Sequence, residues 1–210
     1  MSVAANCPAC GAPVTFMWSS AVQTACPYCK AILVRHDVDL EKVGEVADLP
    51  RDASPIQILT EGAFENRRFM VIGRLVYEWE QGGWNEWHLA FDDGRSGWLS
   101  DAQAEYAVSF HVAPQGPLPS ADEVRRGLAI QWQNQNYIVT HRTEAAYVGF
   151  EGELPFRTTD RSRMIFADLR TPDARFGTID YSEDPPLLYM GRQMDFDELK
   201  LRNLRLFEGW

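Results

Sequence analysis

Residues 64–79 read FENRRFMVIGRLVYEW, a stretch that predicts a hairpin turn followed by one long β-strand. From Arg68 to Trp79 the side chains divide into two faces with period two, which is the periodicity of a strand and not of a helix. One of these faces carries mostly large apolar side chains, so we expect it to lie in the core. Its members are Phe69, Val71, Gly73, Leu75, Tyr77 and Trp79.

A second stretch resembles the first. Residues 132–142 read WQNQNYIVTHR and align without a gap on residues 64–74, with aromatic, Asn-containing, aliphatic and Arg positions in matching places. This match predicts a β-unit that occurs twice. Chance similarity between two amphipathic hairpins is the alternative. The predicted core members of the second unit are Tyr137 and Val139.

Further short strands between turn residues indicate an all-β fold, a barrel or a sandwich. Residues 84–91 alternate again, so one face of this strand should join the core of the first unit. Its members are Trp87, Leu89 and Phe91. The Pro- and Gly-rich residues 114–119 predict a hinge, which divides the β-rich domain into two related halves, residues 55–116 and 117–210.

All four cysteines lie near the start of the chain in two Cys-x-x-Cys pairs, CPAC and CPYC, with fifteen residues between the pairs. Each pair directs two thiolates at one point, and two pairs complete the tetrahedral coordination of Zn²⁺. We therefore predict that residues 1–36 form a zinc ribbon with one structural zinc per chain. Four Cys ligands leave no open position for catalysis. The ligands are Cys7, Cys10, Cys26 and Cys29.

Three alternatives to zinc stay open. CPYC also occurs as a redox motif, but that motif requires a helix after the dithiol, and the residues here favour a strand. Iron in a rubredoxin-type site uses similar turns, and two disulfides would require an oxidising compartment. In the zinc interpretation, residues 14–18 and 31–34 are predicted to pair as strands. The acidic residues 37–54, with few large apolar side chains, are predicted to be a linker.

The charge and composition of the 210 residues exclude several classes of protein. A formal net charge of −10 argues against nucleic-acid binding. The apolar runs are far shorter than the roughly 20 residues of a membrane-spanning helix, so no membrane insertion is expected. Because no signal-peptide pattern is present, we expect a cytoplasmic location. The sequence contains no common catalytic or phosphate-binding motif, which makes a binding protein the first expectation over an enzyme.

An acidic and aromatic segment of the first half is the candidate site for a ligand or partner. On the predicted strand, Trp84 and Glu86 would face outward beside His88, and Glu78 would add a second carboxylate. Tryptophan is common in binding hot spots, and aromatic rings with carboxylates suit a cationic ligand. The alternatives are that Trp84 is covered by another element and that the acidic residues only solvate a strand edge.

A second acidic set lies in the second half. Paired carboxylates can perform acid–base chemistry when they converge, but the spacing does not show that any two of these do. Structural pairs with arginine and solvated turns are the alternative. The set comprises Glu151, Glu153, Asp168, Asp180, Glu183 and Asp184.

Several motifs together resemble one bacterial family, the domain of unknown function 4178, over roughly residues 55–195. The motifs are FMVIGR (69–74), WNEW (84–87), WL (98–99), GELP (152–155), DLR (168–170) and FGTIDY (176–181). Members of that family are often preceded by a zinc ribbon, and their genes tend to lie near polyamine-synthesis and membrane-stress genes. The resemblance therefore implies a part in a multi-protein system, and it transfers no catalytic residues.

Together these observations predict a non-enzymatic interaction module, an adaptor that contacts a protein partner and uses the ribbon for docking. The first alternative is a binding domain for a small cationic ligand such as a polyamine. The second alternative is an uncharacterised enzyme that uses the carboxylates of the second half. A deep pocket lined by polar groups would favour the alternatives, and a flat aromatic face would favour the interaction module.

Overall fold

A computed structural model describes residues 3–36, 39–46, 48–49, 53–158 and 163–206. These residues form fifteen β-strands and one short 3₁₀ helix, which confirms the predicted all-β class. None of the described segments forms a helix that is long and apolar enough to cross a membrane. The strands are β1 Val3–Asn6, β2 Pro13–Phe16, β3 Gln23–Ala25, β4 Ala31–His36, β5 Asp39–Glu45, β6 Glu61–Phe64, β7 Arg67–Trp79, β8 Gly82–Phe91, β9 Ser96–Ala102, β10 Glu105–Val112, β11 Ala129–Trp132, β12 Gln135–Leu154, β13 Arg163–Arg170, β14 Arg175–Asp180 and β15 Leu187–Met194, and the 3₁₀ helix is Phe196–Leu199.

Eight of the strands form a closed antiparallel barrel in the order β7-β8-β9-β10-β15-β14-β13-β12, because β12 also pairs with β7. Two junctions join the predicted halves: β7 with β12, where Tyr77 lies opposite Tyr147, and β10 with β15, where Val108 lies opposite Arg192. The short strands β6 and β11 pair with β7 and β12 outside this ring. Closure removes the free edges that an open sheet of this size would expose.

Glycines allow the chain to approach closely at both junctions. A Cβ added at Gly73 in β7 would lie 2.0 Å from the carbonyl oxygen of Glu153 in β12. One added at Gly191 in β15 would lie 1.8 Å from the carbonyl oxygen of Val108 in β10. Both distances are far below van der Waals contact, and the atoms met are backbone, so a side chain at either position would separate the paired strands.

The two halves share local geometry at the aligned positions. Each hairpin turn, residues 65–66 and residues 133–134, has two consecutive residues with positive φ, as a type I′ turn requires. The ladder shifts register directly after Val71 in β7 and directly after Val139 in β12, which are aligned residues. These matches support the predicted relationship between the halves, and the relationship itself stays a prediction.

The register shift after Val71 changes which residues of β7 share a face. Before the shift, Phe69 and Val71 pack with strand β8 in one core cluster on the outer side of the barrel wall. After it, Leu75 and Tyr77 point into the barrel and belong to another cluster. The prediction of a single apolar face from Phe69 to Trp79 is therefore wrong, because a bulge exchanges the two faces.

The predicted core residues are nonetheless buried, whichever face they occupy. Trp87, Leu89 and Val71 are fully enclosed by Ile56, Phe64 and Leu199, which cover the outer side of the first half. In the second half, Tyr137 and Val139 lie in the equivalent outer cluster with Leu169 and Ile179. The burial predicted for Phe69, Val71, Trp87, Leu89, Phe91, Tyr137 and Val139 is confirmed.

The ribbon differs from its prediction in strand pairing. Strand β2 pairs with β1, and β4 pairs with β3, so each cysteine pair sits in its own hairpin and the predicted pairing of residues 14–18 with 31–34 is wrong. The segment predicted as a linker, residues 37–54, contains strand β5, which pairs with β4 and extends the ribbon. Residues 37, 38, 47 and 50–52 of that segment lie outside the described residues.

Candidate functional site

The four cysteines converge on one point. All four sulfur atoms lie within 4.8 Å of one another, with 3.7 Å between Sγ of Cys7 and Cys29 and 3.8 Å between Sγ of Cys10 and Cys26. A tetrahedral metal with bonds of about 2.3 Å to sulfur holds its ligands about 3.8 Å apart. The donor set and its geometry therefore fit a metal ion bound by four thiolates.

Backbone geometry explains how each cysteine pair is held. The N–H of Gly11 donates to the carbonyl oxygen of Cys7 at 2.8 Å, and the N–H of Lys30 donates to that of Cys26 at 3.0 Å. Gly11 has φ of +75° and Lys30 has φ of +60°, so both turns close through a left-handed residue. The sequence signals this conformation at Gly11 only, because lysine rarely adopts it.

The ribbon joins the barrel where β3 pairs with β12, and Glu153 of β12, a carboxylate that is only 3% exposed, adds side-chain contacts there. Its Oε1 accepts the N–H of Met17 at 2.7 Å, and its Oε2 accepts the N–H of Trp18 at 3.0 Å. The carbonyl oxygen of Glu153 accepts Nδ1–H of the buried His88 at 2.9 Å, and the His88 ring lies between Trp18 and Trp98. Burial lowers the pKa of His88 to about 4, so this histidine is neutral at pH 7.

A cavity of about 430 Å³ occupies the other part of the barrel interior, within the range of small-molecule sites. Every one of the eight barrel strands contributes to its wall. Representative lining residues are Trp79, Glu86, Ser100, Ala107, Thr143, Asp168, Thr178 and Gln193. A smaller adjoining cavity of about 60 Å³ shares Glu86 and Thr178 and adds Asp180 and Tyr189.

Glu86 is the central carboxylate of this cavity. Its Oε1 accepts Nε1–H of Trp84 at 3.0 Å, and Oγ of Ser100 lies 2.9 and 2.8 Å from its two oxygens. Burial raises the pKa of Glu86 from 4.5 to about 8, although both hydrogen bonds act in the opposite direction. Glu86 is therefore mostly protonated at pH 7 until a positive charge enters the cavity.

Two further carboxylates line the same interior. Asp168 accepts a hydrogen bond from Oγ1 of Thr178 at 3.2 Å, and Asp180 accepts the N–H of Ser182 at 2.8 Å. Burial raises the pKa of each, and the charges of both add to the rise at Glu86. Negative charge on Asp168 and Asp180 therefore disfavours the ionisation of Glu86.

Aromatic rings form a wall beside Glu86. The rings of Tyr77 and Trp84 stack with centroids 5.1 Å apart, and each makes a T-shaped contact with Phe166 of the opposite half, with centroids 5.1 and 5.7 Å apart. Contacts between β8 and β13 cross the barrel, which shows that these side chains fill its interior. A carboxylate close to tyrosine and tryptophan rings is a combination that attracts an organic cation.

The predicted site residues are only partly brought together. Trp84 and Glu86 are hydrogen-bonded neighbours, but they face the barrel interior with His88, and the prediction that they face outward is wrong. The physical reason is that the second half closes over this face. Glu78 is exposed on the other face of β7, opposite Gly83, and does not reach the cavity.

The acidic set of the second half divides in the same way. Asp168 and Asp180 reach the cavity, whereas Glu153 holds the ribbon and Glu151 lies 3.4 Å from the buried guanidinium of Arg74. Glu183 and Asp184 are exposed. Sequence reasoning missed the cavity residues Ser100, Thr178, Tyr189 and Arg170. Period-two alternation places them on one face of their strands, but it does not show which face lies inside.

A closed antiparallel barrel with an acidic, aromatic cavity, joined to a four-cysteine site, defines an all-β protein with a candidate metal centre and a separate candidate ligand site. The family model described as Domain of unknown function (DUF4178) matches residues 60–196, and the chain belongs to this family. No curated protein and no solved structure matches the chain.

Proposed function

We propose that the barrel interior binds a small organic cation, an amine of which a polyamine is one example. The observation that carries this proposal is the position of Glu86 in the walls of both cavities, beside Trp84, which lines the larger cavity, and Tyr77, which lines the smaller one. A primary ammonium group in the cavity would pair with the carboxylate of Glu86 and contact an aromatic ring. Asp168 and Asp180 add negative potential to the same interior.

The proposal includes a link between binding and proton release. Burial holds the pKa of Glu86 at about 8, and an ammonium beside it favours the ionised carboxylate, so binding at pH 7 displaces a proton. The apparent affinity should therefore rise as the pH increases toward 8, by up to about tenfold per pH unit.

Isothermal titration calorimetry with butylamine, spermidine and the uncharged butanol tests the proposal. We expect the amines to bind and butanol not to bind, and we expect measurements in buffers of different ionisation enthalpy to report proton release. At 100 times Kd an amine should stabilise the fold by about 2.7 kcal/mol, which is a readily measured thermal shift. Absence of heat and of thermal shift with every amine at millimolar concentration would refute the site.

A matched pair of variants localises the binding. Glu86→Gln removes the counter-ion and keeps the shape of the side chain, so amine affinity and proton release should both be lost. Glu78→Gln makes the same chemical change on the outer face of neighbouring strand β7, and it should leave both unchanged. If Glu86→Gln and Glu78→Gln change amine affinity and proton release to the same extent, the amine binds elsewhere.

We also propose that the metal of the four-cysteine site is a structural zinc, one per chain. Four thiolates in a closed tetrahedral arrangement suit Zn²⁺, and they contribute to folding when the metal binds. Elemental analysis of the purified protein is the test. One equivalent of zinc is expected, and stoichiometric iron would refute this assignment.

We propose, as a second function, that the protein acts as an adaptor in a cytoplasmic bacterial multi-protein system. Its supporting observation is that Tyr28, at the tip of the second cysteine turn, is 68% exposed. Exposed tyrosine is frequent in protein-binding hot spots. Affinity capture with wild-type and Tyr28→Ala baits tests this role. A partner held by both baits equally would exclude Tyr28 as its anchor.

A further inference from the structure

We infer that the ligand of the barrel carries an acidic group in addition to its amine, as an ω-amino acid does. This inference rests on the proposed amine site and narrows the class of compound that fits it. The supporting observation is that the cavity lining contains the guanidinium of Arg170, which has an N–H without an acceptor among the described residues, as well as the carboxylate of Glu86. Glu86 belongs to β8 and Arg170 to β13, and the lining on the side of Arg170 also includes the carboxylates Asp168 and Glu105.

Arg170 has unused donor capacity at the cavity. Its Nη2 donates to Oε2 of Glu105 at 2.6 Å, and the side chain of Glu105 is 59% exposed. Its Nε–H is buried and has no hydrogen-bond acceptor among the residues that the structure describes. A buried guanidinium N–H without an acceptor costs free energy, and an anionic ligand group would supply two parallel acceptors for the fork of donors.

Arg170 shares this wall with His141 and Asp168. His141 lies directly opposite Asp168 in the β12–β13 ladder, and Arg170 follows two residues later on the face of Asp168. Asp168 is held by Thr178 through Oδ1, so it offsets part of the positive charge without occupying Nε of Arg170. Glu105 offsets another part from the exposed side. Arg170 itself lines the cavity that contains Glu86.

This arrangement distinguishes a dipolar ligand from a simple polycation. A second ammonium group placed near Arg170 would meet like charge, which Asp168 and Glu105 offset only in part, and this is unfavourable at short range. A carboxylate at the same place would pair with the guanidinium while the ammonium pairs with Glu86. The cavity therefore selects for opposite charges at the two ends of the ligand.

Calorimetric titration of the full-length, metal-loaded protein with paired probes tests the inference. Each ω-amino acid from 3-aminopropanoate to 6-aminohexanoate is compared with the n-alkylamine of the same carbon number, which covers the unknown span between the two charges. We expect at least one ω-amino acid to bind tenfold or more tightly than its paired amine. The comparison uses the wild-type protein, so it does not depend on how a variant folds.

Two arginine variants locate the effect. In Arg170→Gln, the ω-amino acid and the n-alkylamine of the same carbon number should bind with nearly equal affinity. Arg163→Gln, on the same strand but exposed and paired with Glu144, should keep the wild-type ratio. An Arg170→Gln protein that keeps the full ratio would overturn the assignment of the acidic group to Arg170.

The possible failures are distinguishable. If the amines bind and no ω-amino acid exceeds its paired amine, the inference of an acidic group is wrong and the amine site stands. If neither the amines nor the ω-amino acids bind, the proposed function fails and this inference fails with it.

Discussion

Because the carboxylate of Glu86 is buried, we expect the free energy of unfolding of the protein to fall as the pH rises. The pKa of Glu86 is about 8 in the folded protein and 4.5 at its ordinary value, so between these values the folded state holds a proton that the unfolded state has released. Because the unfolded state binds fewer protons in this range, rising pH destabilises the fold. Glu86→Gln removes the titration while keeping acceptors and donors for Trp84 and Ser100.

The size of the effect follows from the two pKa values. One pKa unit corresponds to about 1.4 kcal/mol. The free energy of unfolding of Glu86→Gln should therefore exceed that of the wild type by about 1 kcal/mol near pH 5.5 and by about 4–5 kcal/mol near pH 8.5. Below pH 4.5 the difference should approach zero, because glutamate is then neutral in both states. Denaturant unfolding of both proteins across this pH range measures the difference, in which the contributions of all other titrating groups cancel.

The control is again Glu78→Gln, whose side chain is exposed and should follow the wild-type curve. A stability difference between wild type and Glu86→Gln that does not change with pH would refute the argument. It would mean that Glu86 is ionised and well solvated in the folded protein, and the basis for cation-linked proton release would disappear.

Three further changes test the metal site, the core and the junction between ribbon and barrel. Cys10→Ser should lose the stoichiometric metal, as elemental analysis would show, and retention of a full equivalent would contradict four-thiolate binding. Trp87→Ala should lower the free energy of unfolding by about 3–5 kcal/mol because the side chain is fully buried, and a loss below about 1 kcal/mol would contradict that burial. Glu153→Ala leaves two backbone donors without an acceptor and should cost about 2–4 kcal/mol, with faster hydrogen exchange at Met17 and Trp18; unchanged exchange there would show that Glu153 does not protect these N–H groups.

The sequence alone was sufficient for the cysteine site and for the core face of β8. Two Cys-x-x-Cys pairs are local motifs in which the spacing itself brings the thiols to one point, so no distant part of the chain is needed to predict them. Along β8 the pattern is uninterrupted, and Trp87, Leu89 and Phe91 are buried as the alternation predicts. In β7 the same reasoning fails beyond Val71, because the bulge there is a property of its pairing with β8 and not of its own residue pattern.

Only the tertiary structure decided which surface became the interior. The barrel closes through the β7–β12 and β10–β15 pairings, whose partners lie about seventy to ninety residues apart in the chain, and local periodicity carries no information about such contacts. These pairings turn Trp84 and Glu86 from an expected outer face into a cavity wall and leave Glu78 outside. The sequence determined which thiols meet and, where no bulge interrupts a strand, which residues share a face. Whether a carboxylate is solvated or buried depends on what lies across from it, and that is known only once the ring of strands has closed.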